Sequence, residues 1–172
     1  MLEVFNCENF NEIYGIMKQS FPKSEIRSLR GQKALLKDER YKIYCQKEKG
    51  EIIGFLCVWN LENYYFLEHF AVKASHRNKG VGKQILSEVV KGLNGIVFLE
   101  VEPPETPLQK RRVEFYIRQG FFINDYEYCQ PAFSKTLPAV PLKIMTYGRE
   151  ITREEFLMVK SKIYKEVYHQ KV

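Results

Sequence analysis

The sequence is poor in the residues that mark metal and disulfide proteins. Its four cysteines, Cys7, Cys45, Cys57 and Cys129, are widely spaced without a CxxC pair, and its three histidines are equally scattered. That excludes zinc-ligand spacing and gives no support to a disulfide framework, so no metal is expected. No apolar run reaches the roughly 18 residues of a membrane span, and Met1 leads into Leu-Glu-Val-Phe without a basic segment followed by a long apolar stretch. The expectation is a soluble, reduced, cytoplasmic protein that contacts no membrane. Internal repeats, low-complexity tracts and linkers are also missing, which leaves one domain over residues 1–172. The formal charge of +6 is modest for this length. It favours contact with anions without naming one, and no basic run is interleaved with aromatics in the manner of a single-strand nucleic-acid groove.

What the chain does have is periodicity. Hydrophobic residues make up 45% of it, enough for one substantial core, and most of its tyrosines and phenylalanines fall inside periodic apolar segments. Residues 2–5 read as a strand and 9–19 as a helix with Phe10, Ile13, Ile16 and Met17 on one face. Pro22 ends or kinks that helix, and residues 25–37 supply a second helical piece. Residues 41–46 and 51–60 form a hairpin across Lys49-Gly50, with Ile43, Cys45, Ile53, Phe55, Cys57 and Trp59 alternating as in a half-buried pair. Residues 64–72 continue the sheet, and a glycine-opened helix follows, striped by Val81, Ile85, Leu86, Val89, Val90 and Leu93. After a strand at 96–101, Pro103, Pro104 and Pro107 force an extended connection to a helix at 109–118 that ends at Gly120. Strands at 121–129 and 142–147 flank a loop over 131–141. Thr152 and Glu155 then form a capping box, with Ile151 and Phe156 placed for a hydrophobic staple and Val159, Ile163 and Val167 continuing the buried stripe. Strand–helix alternation interrupted by adjacent strands predicts an α/β fold with a mixed sheet and helices on both faces.

The junction of Phe66-Leu-Glu-His-Phe-Ala-Val72 with Arg77-Asn-Lys-Gly-Val-Gly82 carries the most chemistry. A glycine-rich turn that opens a helix presents unpaired backbone N–H groups, which can hold a phosphate. Gly80 and Gly82 let phosphate oxygens approach without a Cβ, while Arg77, Lys79 and Lys83 add positive field. The bland alternative is a tight turn with solvated cations. The pattern lacks the third glycine of a dinucleotide site and the Gly-Lys-Ser/Thr ending of a nucleotide-binding loop.

Arg77-Asn-Lys-Gly-Val-Gly82 matches the Gln/Arg-x-x-Gly-x-Gly/Ala signature of the Gcn5-related N-acetyltransferase (GNAT) superfamily. With the element order, Leu99-Glu-Val101 and Phe115-Tyr-Ile-Arg-Gln-Gly-Phe121, the whole chain resembles a bacterial subgroup of it. The resemblance implies a GNAT-like fold with a mostly antiparallel sheet splayed between its fourth and fifth strands. It also implies binding of acetyl coenzyme A and transfer of the acetyl group to an amine. Phe70, Ala71 and Val72 would pair with the pantetheine arm, and Arg77, Asn78, Lys79, Gly80, Val81, Gly82 and Lys83 would wrap the pyrophosphate. Gln109 and Arg112, which stand where the family commonly has Asn and Ala, would be further cofactor contacts. Tyr116 would lie beside the coenzyme sulfur as its proton donor, or be an amphipathic core tyrosine. Glu68 would be a base or amine ligand, or instead a structural or substrate-orienting carboxylate. His69, on the opposite face of a regular strand, reads as a core or helix-contact histidine. Glu25, Glu100, Tyr128 and Gln130 are candidates for the acceptor, a small-molecule amine or a peptide amine. A cofactor-binding module without catalysis, and nucleic-acid binding through the basic surface, are the competing functions. Monomer and homodimer both stay open.

Overall fold

Turn chemistry sets the first hairpin. Lys49 and Gly50 both have positive φ, at 52° and 84°, the combination that matches a two-residue loop to strand twist. In the computed structural model, which describes residues 2–5 and 10–170, the strands are β1 (Leu2–Val4), β2 (Tyr41–Glu48), β3 (Glu51–Leu61), β4 (Tyr64–Val72), β5 (Ile96–Val101), β6 (Phe121–Gln130) and β7 (Val140–Tyr147). The helices are α1 (Phe10–Ser20), α2 (Leu29–Ala34), α3 (Val81–Lys91), α4 (Pro107–Arg118) and α5 (Arg153–Lys162). They make a mixed α/β fold with a mostly antiparallel sheet and flanking helices, as expected. Cys7 and the expected helix start at Asn9 lie outside the described residues.

The chain folds as two compact units, Met1–Asn60 with Leu67–Asn94, and Leu61–Phe66 with Gly95–Val172. In the first, β1, β2, β3 and β4 lie side by side in that order, and β2 runs antiparallel to both β1 and β3. The expected half-buried alternation holds for β2, whereas β3 is buried on both faces from Ile52 to Trp59. One cover is α3, which sinks Val81, Ile85, Leu86, Val89 and Val90. A Cβ on Gly54 would meet Ile85 Cδ1 at 2.8 Å and the Ala71 carbonyl oxygen at 3.2 Å, so glycine lets that helix approach β3. Helix α1 is pinned by Glu12, which accepts from the Ile52 amide at 3.0 Å and Lys73 Nζ at 3.2 Å.

The second helical piece is broken rather than continuous over 25–37. A 3-10 turn at Lys23–Glu25 is followed by extended Ile26, and α2 begins only after Ser28, whose hydroxyl accepts from the Gly31 amide. A serine that caps a helix three residues before Gly31 starts a new element rather than extending an old one.

In the second unit β5 pairs antiparallel with β7, and β7 with β6. Helix α4 starts two residues earlier than expected. Thr106 and Gln109 form a capping box with Pro107 just inside the helix, where proline's fixed φ and missing N–H suit the first turn. The expected capping box of α5 forms between Thr152 and Glu155, and Ile151, Phe156, Val159, Ile163 and Val167 are all buried. Buried Asn124 ties this unit together: its amide nitrogen donates to Thr146 Oγ1 at 2.9 Å and its Oδ1 accepts from the Ile151 amide at 2.9 Å. After α5 the backbone widens into a π turn over Ile163–Val167, closed by the Tyr168 amide on the Ile163 carbonyl.

Candidate active site

The turn between β4 and α3 leads into its helix with exposed backbone and cationic side chains. The Lys73 amide donates to the Ile53 carbonyl at 2.8 Å, which fixes the end of β4, and Arg77 Nε returns to the Val72 carbonyl at 3.1 Å. Asn78 and Gly80 take left-handed φ values of 61° and 81°. The first intrahelical bond runs from the Gln84 amide to the Gly80 carbonyl at 3.0 Å, so the amides of Val81, Gly82 and Lys83 precede the helical ladder. A Cβ on Gly80 would meet nothing within 4 Å, and Arg77, Asn78, Lys79, Gly80 and Lys83 are exposed. An open surface lined by leading amides and cations fits a diphosphate. Val81 points into the core and offers only its backbone. His76 is engaged elsewhere, with Nε2 3.1 Å from Glu48 Oε2 and Nδ1 2.9 Å from Ser75 Oγ.

Upstream on the same unit, Ala71 is buried while Phe70 and Val72 are partly exposed. Glu68 has a side chain only 2% exposed, with Oε1 2.5 Å from Arg27 Nη1 and Oε2 accepting from Trp59 Nε1 at 2.9 Å. Burial pushes its carboxyl up, but the Arg27 guanidinium, His69 and the two donated hydrogen bonds outweigh it and hold it below the usual carboxylate value. His69 is fully buried, and burial keeps its imidazole below the ordinary value against the pull of Glu68. Its Nε2 lies 2.9 Å from the Glu25 carbonyl, which can only accept, so Nε2 carries the proton. Its Nδ1 has no hydrogen-bond partner among the described residues. Contrary to the regular-strand expectation, Glu68 and His69 do not part cleanly to opposite faces. Nδ1 is 3.7 Å from Glu68 Oε2, because both side chains turn toward the connection at 25–27.

In the second unit, Tyr116 is buried on α4 with its ring edge-on to Phe115 at 5.3 Å and Phe121 at 5.8 Å. Burial raises its phenol to about 12, with Arg112 acting in the lowering direction. Arg112 pairs with Glu102. Gln109 is occupied as the helix cap, its Oε1 accepting from the Thr106 amide at 2.7 Å and the Glu105 amide at 3.2 Å. Glu100 and Tyr128 come together: the Glu100 carboxylate accepts from Tyr128 and from Tyr168, the latter at 2.8 Å. Gln130 is buried on the same strand as Tyr128. Sequence reasoning missed Tyr168, Arg27 and Trp59. Arg27 and Tyr168 take their partners from 41 and 68 residues away, while Trp59 meets Glu68 on the following strand.

Among the described residues no helix is long and apolar enough to cross a membrane, and no group of three or more His, Cys, Asp or Glu is placed to hold a metal ion.

Residues 39–122 match the family model described as an acetyltransferase (GNAT) domain. Among curated proteins no sequence matches. Among solved structures, the chain resembles a Bacteroides thetaiotaomicron protein assigned to the GNAT family as an acetyltransferase. The identity is 26%, with 99% of each chain covered and a TM-score of 0.87. It shares its fold with the ribosomal-protein-S18-alanine N-acetyltransferase of Escherichia coli, at 18% identity over 90% of this chain and 97% of that one, with a TM-score of 0.65. A GNAT-family acetyltransferase from Elizabethkingia anophelis, solved with acetyl-CoA bound, gives 15% identity, 85% and 97% coverage and a TM-score of 0.60.

Proposed function

The chain belongs to the GNAT superfamily, and from that premise we propose that it transfers the acetyl group of acetyl coenzyme A to a primary amine by direct attack. The observation that carries this reading is the turn before α3, where left-handed Asn78 and Gly80 open a helix start that is exposed and flanked by Arg77, Lys79 and Lys83. Those residues, with the amides of Val81 and Gly82, would hold the diphosphate, and Phe70, Ala71 and Val72 would take the pantetheine arm. Coenzyme A supplies the activated acyl group.

A lysine-like amine is mostly protonated at neutral pH, and freeing its lone pair costs about 4–5 kcal/mol. Both oxygens of Glu68 already accept charged or indole donors, and its proton affinity is lowered. The amine proton therefore leaves through water, with Glu68 as an orienting carboxylate. Glu25, Glu100, Tyr128 and Gln130 are the proposed acceptor contacts. At sulfur, Tyr116 donates its phenolic hydrogen. Full transfer from a phenol near 12 to a thiolate whose acid lies near ~8.5 is uphill by about 5 kcal/mol. Tyr116 thus works best as a strong hydrogen-bond donor to the departing sulfur, helped by the nearby positive charge of Arg112.

The test is a panel of small amines and peptides incubated with acetyl coenzyme A, read by mass change of the acceptor. Transfer by the wild type, lost by about 10²–10⁴-fold in Tyr116→Phe with cofactor binding retained, is the expected result. Cofactor binding without transfer across the panel would favour a binding module. Nucleic-acid binding at moderate salt without coenzyme A binding would overturn the assignment.

A further inference from the structure

Residues 21–28, which join α1 to α2, have little regular structure of their own. One 3-10 turn, Lys23–Glu25, interrupts otherwise extended backbone, so the segment's polar groups need partners from elsewhere. Side chains of β4 and α1 supply several of them. Glu68 and His69 on β4 take Arg27 Nη1 at 2.5 Å and the Glu25 carbonyl at 2.9 Å, and the Tyr14 hydroxyl donates to the Arg27 carbonyl at 3.1 Å. Phe21 completes the attachment, its ring edge-on to His69 at 5.0 Å. Behind Glu68 the network continues through Trp59, which packs on Tyr41 at 5.0 Å, and Tyr41 accepts from Gln32 of α2 at 2.8 Å. Glu68 therefore ties the Arg27 end of the connection to β3 and β4, and its neighbour His69 holds the Phe21 and Glu25 end.

We propose that Glu68 is a positioning residue: through Arg27 it clamps the 21–28 connection to β4 and so fixes the surface on which the acceptor amine is presented. The acceptor's part rests on the acetyl-transfer reading above, while the clamp rests on these contacts alone. A base must give up the stabilisation of its charged form to take a proton, and here a guanidinium and an indole N–H each donate to one oxygen of Glu68. A clamp needs a fixed pair of bonds to two elements, and Arg27 and Trp59 supply them.

The test compares the full-length wild type with Glu68→Gln, Arg27→Met and the Glu68→Gln/Arg27→Met double variant. It reads hydrogen exchange over residues 21–30, acceptor KM and kcat, the pH profile of kcat/KM and the affinity for coenzyme A. Trp59, the sole tryptophan, reports the network directly through its emission. Either single change should speed exchange over 21–30 by on the order of tenfold. Acceptor KM should rise by a similar factor in both, and in Arg27→Met, which touches no reacting group, kcat at saturation, the pH profile and coenzyme A binding should hold. The double variant should recover part of both losses, because a neutral pair leaves no buried charge unpaired. Should Glu68→Gln fail to fold, Arg27→Met tests the same clamp from the other side. Unchanged exchange over 21–30 in a folded variant overturns the clamp, as does a kcat loss with a shifted pH profile that the double variant does not relieve. If the wild type acetylates nothing, faster exchange still upholds the clamp while the acetyl-transfer reading falls.

Discussion

Glu68 in the first unit and Glu100 in the second are both carboxylates set in apolar strands, and as sequence they look alike. Folding gives them different company. Glu68 meets a guanidinium and an indole N–H, whereas Glu100 meets the phenols of Tyr128 and Tyr168. A carboxylate paired with a cation is held in its charged form. The phenol of Tyr128 is instead held in its neutral form, since burial first and then the nearby carboxylate push it well above the ordinary phenol value. The same residue type thus becomes an ion-pair clamp in one unit and the acceptor of hydrogen bonds from two phenols in the other. Each anchors a peripheral segment, the 21–28 connection and the turn after α5.

The comparison breaks most visibly if the ion pair is removed. Glu68→Ala should cost about 3–5 kcal/mol in urea unfolding, because Arg27 is left buried without its counter-charge. The sign with pH follows from a depressed folded value. Glu68's contribution is full above about 4.5 and is lost as pH falls below it, so the gap between wild type and variant should narrow in acid. An unfolding gap that is constant from pH 7 to 3 would mean that the pair contributes little.

A smaller effect is expected from Tyr128→Phe, about 1.5–3 kcal/mol, since Glu100 keeps its bond from Tyr168. Here the folded value is raised, so the contribution is full below the ordinary phenol value of 10.0 and fades as pH rises above it. The gap between Tyr128→Phe and wild type should therefore close in alkali. Equal sensitivity of both variants at the same end of the pH scale would erase the distinction between the two clusters. The smallest change is Tyr14→Phe, which removes one neutral bond to the Arg27 carbonyl and should cost about 0.5–1.5 kcal/mol. A loss as large as that of Glu68→Ala would shift the clamp's weight from the side chain of Arg27 to its backbone.

Much of this protein is legible before folding. Lys49-Gly50 announces a hairpin, Thr152 and Glu155 announce a helix start, and Arg77 to Gly82 announces an exposed turn with leading amides. Each rests on interactions between residues a few positions apart, which a linear reading can see. The start of α4 is encoded in the same way by Thr106, Pro107 and Gln109, although Pro103 and Pro104 just before it also favour extended chain. The break between Glu25 and α2 was signalled only by Ser28.

Backbone conformation, apolar stripes and the turn's charges follow from spacing, because local dihedral and hydrogen-bond preferences act over one or two turns of chain. Which acids are free and which are occupied came only from folding. Glu68 is 41 residues from Arg27, and Glu100 is 28 from Tyr128 and 68 from Tyr168. The chemistry of a buried carboxylate is set by whichever donor the packed strands and helices bring to it, and no periodicity encodes that meeting.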